Sequence, residues 1–246
     1  GYSGSYETWD YATTSMVYLG FHTSNGLCKS SSVRQTIARA IDRESIAQVD
    51  FARHAVPSAL PVHPDSPAYD AQLAQTLSYA PEQLQELPFH NWSLTMIVNS
   101  ENAARVAAAQ RITEQLNAAG LKVPLQKMPF EDYTAALKAG SFDLYLAEVV
   151  LTADFDLSDL LLTGAPLNYG NWSNAEMETA MQTMRSAPDL VRISAAQNLY
   201  TLLCEQVPIA PVCFKNGSVL TRWGQLTGLE PIRGNVFYHL ENWKLS

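Results

Sequence analysis

The sequence predicts an α/β protein, with helices layered on a mixed sheet. From residue 94 to residue 151, segments rich in branched apolar residues alternate with segments of helical periodicity. The clearest helix is Ala-rich and runs from Glu101 to Ala119, and the clearest strand is the apolar run Leu144 to Leu151, whose only charge is Glu148. Apolar residues make up 47% of the 246 residues and charged residues 16%, so the chain can bury a substantial core, as one large domain or two small ones.

The charge balance argues against nucleic acid and against an anionic membrane surface as partners. The formal net charge is −8, and the sixteen Lys and Arg residues are scattered along the chain. No run approaches the roughly 18 apolar residues that span a bilayer, and the first ten residues lack the basic and apolar regions of an export signal. We therefore expect a soluble chain, with any export signal removed or never present.

The three cysteines form an odd set without C-x-x-C spacing, which disfavours a metal cluster or a thioredoxin-like site. One disulfide with a free thiol is compatible with the sequence, and Cys204 and Cys213 are the closest pair. Three free, buried thiols that include Cys28 are equally compatible.

The chain opens with an extended segment, a strand and a helix. Gly1 to Tyr11 has no helical period, so it is expected to be extended or poorly ordered. Ser15 to Thr23 is a strand by its content of branched and aromatic residues. Ser32 then caps a helix whose apolar face is formed by Val33, Ile37, Ala40 and Ile41.

A second short helix and a proline-rich loop come next. Asp42 is predicted to cap the helix, with Arg39 and Arg43 on its solvated side. The prolines between Pro57 and Pro67 exclude a central strand, so this stretch is interpreted as a loop over the surface. Pro81 to Leu87 is predicted to be a short helix.

The middle of the chain supplies the alternating pattern. Leu94 to Val98 is predicted to be a strand, and Leu121 to Met128 another, which Pro124 places at an edge of the sheet. Phe130 to Ala139 is a helix that ends at Gly140.

Two helices and a hairpin are predicted in the last third. Ser173 and Glu176 form a capping box for a helix whose methionines face the core, namely Met177, Met181 and Met184. Pro188 begins the next helix, whose predicted buried side is Ile193, Ala196, Leu199, Tyr200 and Leu203. Ile209 to Phe214 and Ser218 to Arg222 are interpreted as two strands joined by a tight Asn-Gly turn.

The stretch with the most chemistry follows the buried strand Leu144 to Leu151. Asp154, Asp156 and Asp159 come within six positions of one another, and the turn Asn168 to Asn171 lies shortly after them. Open α/β sheets bind ligands at the carboxyl ends of their strands, so these carboxylates are candidates for a ligand site. Acidic residues also cap helix starts, and the local sequence leaves both interpretations open.

Signs of catalysis are weak. The sequence contains no phosphate-binding glycine loop, nucleophile elbow or zinc-protease motif. The five histidines, His22, His54, His63, His90 and His239, include no pair at i, i+4. Asp154 and Asp156 could serve as an acid and base pair, but no nucleophile is nearby. We therefore predict a protein that is not an enzyme and needs no metal or other cofactor.

Five segments carry a resemblance to a known family. They are SVRQTIARAIDRESI (32–46), PSALPVHPDSPAY (57–69), LTADFDLSDLL (151–161), NYGNWSNAEMETAM (168–181) and EQVPIAPVCF (205–214). In this order they resemble the extracellular solute-binding proteins of ABC importers, in the family that binds dipeptides, oligopeptides and nickel. The resemblance covers about residues 15 to 245.

The resemblance implies the second lobe of a longer, two-lobed protein of the type II periplasmic-binding fold. Residues 1–14 would be an extended segment, and residues 15–222 a lobe with hinge-crossing strands near 18–23 and 209–221. Residues 223–246 would return toward the first lobe. The family binds a peptide or another small solute between its lobes and delivers it to an ABC permease. It also implies a monomer that is extracellular, periplasmic or lipid-anchored to the outer face of the cell membrane.

The resemblance also implies the site. Asp154 would hold the ammonium group of the ligand. We further predict that Phe155 lines the pocket wall and that Thr152, Tyr169 and His22 contact the ligand. His22 stands where the family has an Asn that closes the outward crossing strand, and Leu151 replaces a bulky aromatic residue. Two alternatives stay open: a nickel-type metal-chelate binder that uses His22, and a small hydrolase that uses Asp154 and Asp156.

Overall fold

The computed structural model describes residues 5–87 and 92–245. Residues 1–4 of the expected N-terminal segment, and His90 among the histidines, lie outside this part of the chain. The strands are β1 (Tyr6–Phe21), β2 (Ala55–Pro57), β3 (Met96–Asn99), β4 (Leu125–Met128), β5 (Leu144–Val150), β6 (Ile209–Arg222), β7 (Leu226–Thr227) and β8 (Lys244–Leu245). The helices are α1 (Ser31–Arg39), α2 (Arg43–Ser45), α3 (Ala71–Gln75), α4 (Glu82–Gln85), α5 (Ala103–Ala118), α6 (Phe130–Ala139), α7 (Ser158–Leu161), α8 (Ala175–Ser186) and α9 (Asp189–Gln206).

Six strands form one mixed sheet in the order β2-β6-β1-β5-β3-β4. The central alternation of strands and helices builds its parallel part, in which β3 pairs with both β4 and β5. β1 is antiparallel to β5 and to β6, and β2 is antiparallel to β6. β4 lies at the edge, as the proline before it predicted. The mixed sheet flanked by helices confirms the predicted fold class.

β1 and β6 extend beyond the rest of the sheet as a two-stranded ribbon. β5 pairs only with residues 15–21 of β1, whereas residues 6–11 of β1 pair with residues 217–222 of β6. The register shifts between Tyr11 and Ser15, so a local irregularity separates the ribbon from the body of the sheet.

The predicted hairpin at residues 215–217 is wrong, because β6 is one continuous strand. Asn216 donates its backbone N–H to the His54 carbonyl, and Gly217 pairs with Tyr11 across the ribbon. A Cβ atom on Gly217 would lie 2.1 Å from the Tyr11 ring. Gly217 is therefore needed because its missing side chain leaves space for an aromatic ring. It does not form the tight turn that the sequence predicted.

Several helix starts and faces match the sequence. Asp42 caps α2 by accepting a hydrogen bond from the Ser45 N–H at 3.0 Å. The three methionines of α8 are buried in the core, as predicted. The cap of α8 is Asn174 and not Ser173, since the Asn174 side chain accepts from the Met177 N–H at 2.9 Å. On α9, Ile193 is 44% exposed and was wrongly assigned to the buried face.

Two further expectations about exposure are wrong. Arg43 is buried, and its guanidinium donates to the carbonyls of Pro211 and Leu77 at 2.8 and 3.1 Å. The proline-rich stretch is not a surface loop throughout, because Ala55–Pro57 forms the edge strand β2 and Leu60 and Val62 are fully buried. Prolines exclude a central strand but do not prevent burial.

The cysteine alternatives resolve to three free, buried thiols. Burial raises the pKa of Cys28 and of Cys213 to about 12, and that of Cys204 to about 11. All three thiols are thus protonated at neutral pH and poorly nucleophilic. Across the described residues, no helix has the length and apolar character that crossing a bilayer requires.

Candidate functional site

The candidate site lies at the edge of the sheet where the parallel strands end. β3, β4 and β5 are parallel, so their carboxyl ends, Asn99, Met128 and Val150, meet at one edge. Val150 pairs with Ser15, the residue of β1 at which the ribbon leaves the sheet. The loop that follows β5 is therefore at the base of the ribbon, in the position where open α/β sheets bind ligands.

The loop after β5 is anchored to β1. The Leu151 N–H donates to the Thr14 carbonyl at 3.0 Å, and the Thr14 hydroxyl donates to the Leu151 carbonyl at 2.6 Å. The loop then folds back at Thr152, whose carbonyl accepts from the Phe155 N–H and whose hydroxyl accepts from the Asp156 N–H. This turn holds Phe155 at a φ of 57°, an uncommon backbone conformation for an aromatic residue.

The three aspartates of the loop have different surroundings. Asp156 accepts hydrogen bonds from the Ser158 N–H and hydroxyl at 3.0 and 2.6 Å, so it supports the start of α7. Asp159 is exposed in the first turn of α7. Asp154 is exposed, and its carboxylate makes no hydrogen bond or ion pair within residues 5–87 and 92–245. The Asp159 carboxylate likewise makes no hydrogen bond or ion pair within these ranges, so Asp154 differs from Asp159 by its place in the loop and not by a free carboxylate.

Phe155 is half-buried, and its ring packs edge-on against Phe214, with 5.8 Å between ring centroids. Asp154 and Phe155 together border a cavity of about 200 Å³, which residues 66–68 and the first half of α9 complete. Tyr200 of α9 also lines this cavity. Burial raises the pKa of Tyr200, and the Asp154 carboxylate raises it further. The structure thus brings Thr152, Asp154 and Phe155 together at one edge.

Tyr169 lies elsewhere. Its ring is half-buried and packs edge-on against Tyr145, with 6.2 Å between centroids, and Tyr145 pairs with Gly20 near the opposite end of β5. The turn that carries Tyr169 docks on the end of β1, where the Gly170 carbonyl accepts from the Thr23 N–H at 2.8 Å. Tyr169 is therefore not grouped with Asp154.

His22 also lies at the far end of β1. Its N–H donates to the Asp143 carbonyl at 2.9 Å, and its ring is 5.6 Å from the Phe142 ring. It borders a separate, polar cavity of about 460 Å³. Phe21 lies six positions after Ser15 on β1, a span of about 20 Å along the strand. A direct partnership of His22 and Asp154 on one small ligand does not follow from this arrangement.

A charged cluster around Glu148 lies at the same edge and was not predicted from the sequence. Glu148 accepts hydrogen bonds from the Ser15 hydroxyl at 2.6 Å and from Lys215 Nζ at 2.9 Å. Arg105 Nε of α5 lies 3.9 Å from the other carboxylate oxygen. Burial favours a higher pKa for Glu148, but the hydrogen bonds and the two cations outweigh it and lower that pKa. The only sequence signal was a lone charge in an apolar strand.

A metal site has no support from side-chain clustering. In the ranges that the structure describes, no three His, Cys, Asp or Glu side chains come close enough to hold a metal ion.

Comparisons with known proteins agree with this architecture. The family model described as bacterial extracellular solute-binding proteins, family 5 middle, matches residues 3–168. The oligopeptide-binding protein AppA of Bacillus subtilis is 24% identical over 256 residues, which cover 94% of this chain and 47% of AppA. The probable ABC transporter periplasmic-binding protein SapA of Escherichia coli is 25% identical, over 80% of this chain and 39% of SapA.

Solved structures share the fold. AppA of B. subtilis in complex with a nonapeptide superposes with a TM-score of 0.77 at 21% identity, over 98% of this chain and 53% of AppA. HbpA2 of Haemophilus parasuis reaches a TM-score of 0.83 at 17% identity, over 98% of this chain and 50% of HbpA2. NikZ of Campylobacter jejuni in complex with Ni(L-His) gives 0.76 at 16% identity, with 98% and 54% covered.

The chain spans about half the length of the curated relatives that it matches. The family model covers about two thirds of the chain, from the ribbon through β5 to the turn before α8. The sheet, the loop at its carboxyl edge and this match lead to one conclusion: the chain belongs to the bacterial extracellular solute-binding proteins of family 5.

Proposed function

We propose that this chain is one lobe of a solute-binding protein that captures a peptide outside the cell membrane and delivers it to an ABC permease. The observation that carries the proposal is the exposed carboxylate of Asp154 at the carboxyl edge of the sheet. It borders the cavity beside α9 and makes no hydrogen bond or ion pair among residues 5–87 and 92–245. A peptide with a free amino terminus offers the complementary ammonium group, and such a charge-assisted hydrogen bond is strong. Phe155 supplies an apolar wall beside it, and Thr152 holds the loop that presents both residues.

The proposed crossing between lobes differs from the one that the resemblance implied. The resemblance placed the crossing strands near residues 18–23 and 209–221. Residues 16–21 of β1 are all buried in the body of the sheet, where the Tyr145 ring occupies the space beside Gly20. The ribbon formed by residues 6–11 and 217–222 projects beyond the other strands. We therefore assign the crossing to the ribbon, with residues 15–216 as the lobe and residues 223–245 as the segment returning toward the partner lobe. Closure around the ribbon would trap the solute.

The remaining parts of the proposal follow from the family. The protein would act as a monomer, in the periplasm or on the outer face of the cell membrane, and would release its solute unchanged. A peptide ligand is favoured over a metal chelate because Asp154 and Phe155 lie together, whereas His22 lies at the other end of β1. Tyr169 and His22 are accordingly weaker candidates for ligand contact.

A calorimetric titration tests the proposal on the complete two-lobed protein. A tripeptide with a free amino terminus is expected to bind, and its N-acetylated form to bind about tenfold to a hundredfold more weakly. Asp154→Asn should weaken binding of the peptide with a free amino terminus by a similar factor. It should leave the affinity for the acetylated peptide unchanged. Asp159→Asn is the matched control, because Asp159 is an exposed carboxylate five residues away.

Two results would contradict the proposal. One is equal affinity for free and acetylated peptides; the other is a loss with Asp159→Asn as large as that with Asp154→Asn. Titration with Ni(L-His), the ligand in the NikZ structure, tests the metal-chelate alternative, and binding of Ni(L-His) in place of the peptide would favour that alternative. Asp154-dependent peptide cleavage in the same samples would favour the hydrolase.

A further inference from the structure

A second cavity, of about 410 Å³, lies beside the edge strand β2. Its lining residues come from 41–44, 57–59 and 69–79. In the described part of the chain it shares no lining residue with the cavity beside Asp154. Binding sites for small molecules have volumes of roughly 300–1,000 Å³, so this cavity is large enough for a small solute.

The lining of this cavity contains a buried cation, Arg43, which is 8% exposed. Its Nε and Nη1 atoms donate to the carbonyls of Pro211 and Leu77. Within residues 5–87 and 92–245, its Nη2 atom has no hydrogen-bond partner, and no carboxylate pairs with the guanidinium. Burial lowers the pKa of Arg43 to about 10, so the side chain stays charged at neutral pH. A buried charge with an unpaired N–H is costly, and an anionic group at Nη2 would offset that cost.

Arg34 shows how the same chain satisfies a buried arginine with its own groups. Arg34 is 2% exposed, and the ring of Trp172 lies 5.3 Å from its Cζ atom. All three of its guanidinium nitrogens donate to backbone carbonyls, those of residues 28, 29, 206 and 207. Arg43 differs because one of its three nitrogens is left without an acceptor among the residues that the structure describes.

The Arg43 guanidinium lies close to the cavity wall that Tyr69 and Ser58 form. Burial raises the pKa of Tyr69, while contact with the Ser58 hydroxyl and the positive charge of Arg43 oppose that rise. The charge of Arg43 therefore reaches a phenol ring that borders the cavity. An acceptor group of a bound solute would find both the guanidinium and this phenol at the same wall.

Two carboxylates also line the cavity, on either side of Arg43 in the sequence. Asp42 accepts from the Ser45 N–H at the start of α2, whereas Glu44 is exposed and accepts from the Gln48 side chain at 2.6 Å. One cation and two anions leave one negative charge. A purely anionic solute would be repelled, whereas a solute with both a carboxylate and an ammonium group complements the two signs of charge.

The other walls are apolar, and three of their side chains are small. They belong to Ala59, Ala71 and Ala74. Leu77, 4% exposed, forms a buried part of the wall, and Tyr79, 51% exposed, stands toward solvent. Small side chains on the wall leave space for an aliphatic group of the solute.

We propose that this cavity binds a free amino acid with an aliphatic side chain, with its carboxylate on Nη2 of Arg43 and its ammonium group toward Glu44. The protein would then hold a second small molecule on the flank of the lobe, apart from the peptide. This inference is independent of the proposed role of Asp154.

The test uses the complete two-lobed protein, labelled with ¹³C at the methyl groups of its Ala, Ile and Leu residues. Leucine is titrated to millimolar concentration. Chemical shifts at Ile41, Ala71 and Ala74 report this cavity, and shifts at Ile193 and Ala196 report the cavity beside Asp154. Leucine is expected to shift the first group of methyls.

Two analogues of leucine separate the charges. Leucinamide keeps the ammonium group and side chain but has no carboxylate. It should bind about tenfold to a hundredfold more weakly, because a charge-assisted hydrogen bond to a buried group is lost. Isocaproate lacks the ammonium group, which faces an exposed carboxylate, and should bind about twofold to fivefold more weakly.

Charge variants test the two contacts separately. Arg43→Gln should reduce the affinity for leucine to that for leucinamide. Glu44→Gln should reduce it to that for isocaproate. Glu131→Gln is the matched control, because Glu131 is also an exposed acid in the first turn of a helix, and it should change neither affinity.

A blocking variant covers the case in which Arg43→Gln fails to fold. Ala71→Trp places a large ring in the cavity from an exposed position of α3 and should abolish the leucine shifts at Ile41 and Ala74. Gln72→Trp adds the same ring at the next exposed position, outside the lining, and should leave those shifts unchanged.

Failure of this inference is distinguishable from failure of the proposed function. Equal affinities for leucine and leucinamide would overturn the contact between the carboxylate and Arg43. The absence of shifts at Ile41, Ala71 and Ala74 would overturn the site, as would leucine shifts confined to Ile193 and Ala196. Peptide binding that still depends on Asp154 in any of these cases would leave the proposed function intact.

Discussion

The two halves of the β1–β6 pair are stabilised in different ways although they belong to the same strands. The inner half contains residues 16–21 of β1, and the ribbon half contains residues 6–11. In the inner half, Met16, Val17, Leu19 and Phe21 are fully buried and both neighbouring strands are present. In the ribbon half, exposure alternates along β1, and β6 is the only strand that pairs with it within the described residues. Apolar burial stabilises the first half, whereas backbone hydrogen bonds and side-chain pairs stabilise the second.

The largest expected contrast is between two leucines on these strands. Leu19→Ala removes a fully buried side chain from the inner half and should lower the free energy of unfolding by about 2–5 kcal/mol. Leu220→Ala removes a side chain that is 67% exposed in the ribbon and should change it by less than about 0.5 kcal/mol. Urea unfolding measures the free energy of unfolding of both variants. Similar losses in the two would show that the inner half and the ribbon do not differ in this way.

Two glycines give a second contrast between the halves, because each of them packs against a tyrosine ring. A Cβ atom at Gly20 would lie 2.0 Å from the Tyr145 ring, and one at Gly217 would lie 2.1 Å from the Tyr11 ring. The Tyr145 ring is buried against Tyr18 and Phe142 and cannot move aside, so Gly20→Ala should cost about 1–3 kcal/mol.

The Tyr11 ring in the ribbon is only half-buried and has room to rotate away. Gly217→Ala should therefore cost well under 1 kcal/mol, as judged by thermal unfolding of the two variants side by side. A loss at Gly217 that equals the loss at Gly20 would show that the ribbon is as tightly packed as the core.

Glu148 joins the two halves, because its partners Ser15 and Lys215 lie at the boundary. Its folded-state pKa is lowered, so its stabilising effect is present above the unfolded pKa of about 4.3 and is lost as pH falls through the folded value. Glu148→Gln should cost about 1–2 kcal/mol at neutral pH. In the acidic range the variant should lose less stability than the parent, and parallel pH profiles would refute the assignment.

The smallest expected effect concerns the contact that ties the ribbon to the body of the domain. Asp10 accepts from Ser218 and pairs with His54 at 2.8 Å, in a largely exposed setting. Asp10→Asn should change global stability by no more than about 0.5 kcal/mol. Hydrogen exchange should nevertheless quicken at residues 6–11 and not at residues 16–21, whereas uniform exchange would remove the distinction between the halves.

The sequence predicted the elements better than their arrangement. Periodicity located α5, α6, β5 and the methionine face of α8, because amphipathic spacing reflects burial directly. The Asn216-Gly217 pair misled the hairpin prediction, since the glycine accommodates a ring from a strand some 200 residues earlier in the chain. Such long-range contacts have no local signature.

The candidate site was predictable to the same degree. Asp154 and Phe155 follow the carboxyl end of a buried parallel strand, and the topological rule for α/β sheets locates such residues. His22 and Tyr169 failed to join them because the order of residues does not show at which end of a strand a neighbour lies. The cluster around Glu148 draws on four separate elements, so only the fold could reveal it.

The register shift between Tyr11 and Ser15 has a mechanical meaning. A two-stranded ribbon is supported by one ladder of hydrogen bonds. We expect it to bend most easily where that ladder is interrupted. Load applied across the ribbon would therefore concentrate at residues 12–14, next to Thr14 and the loop that it anchors. Any rotation about that point would turn the Asp154 loop as one piece with the sheet, so the angle of the ribbon and the orientation of the site would change together.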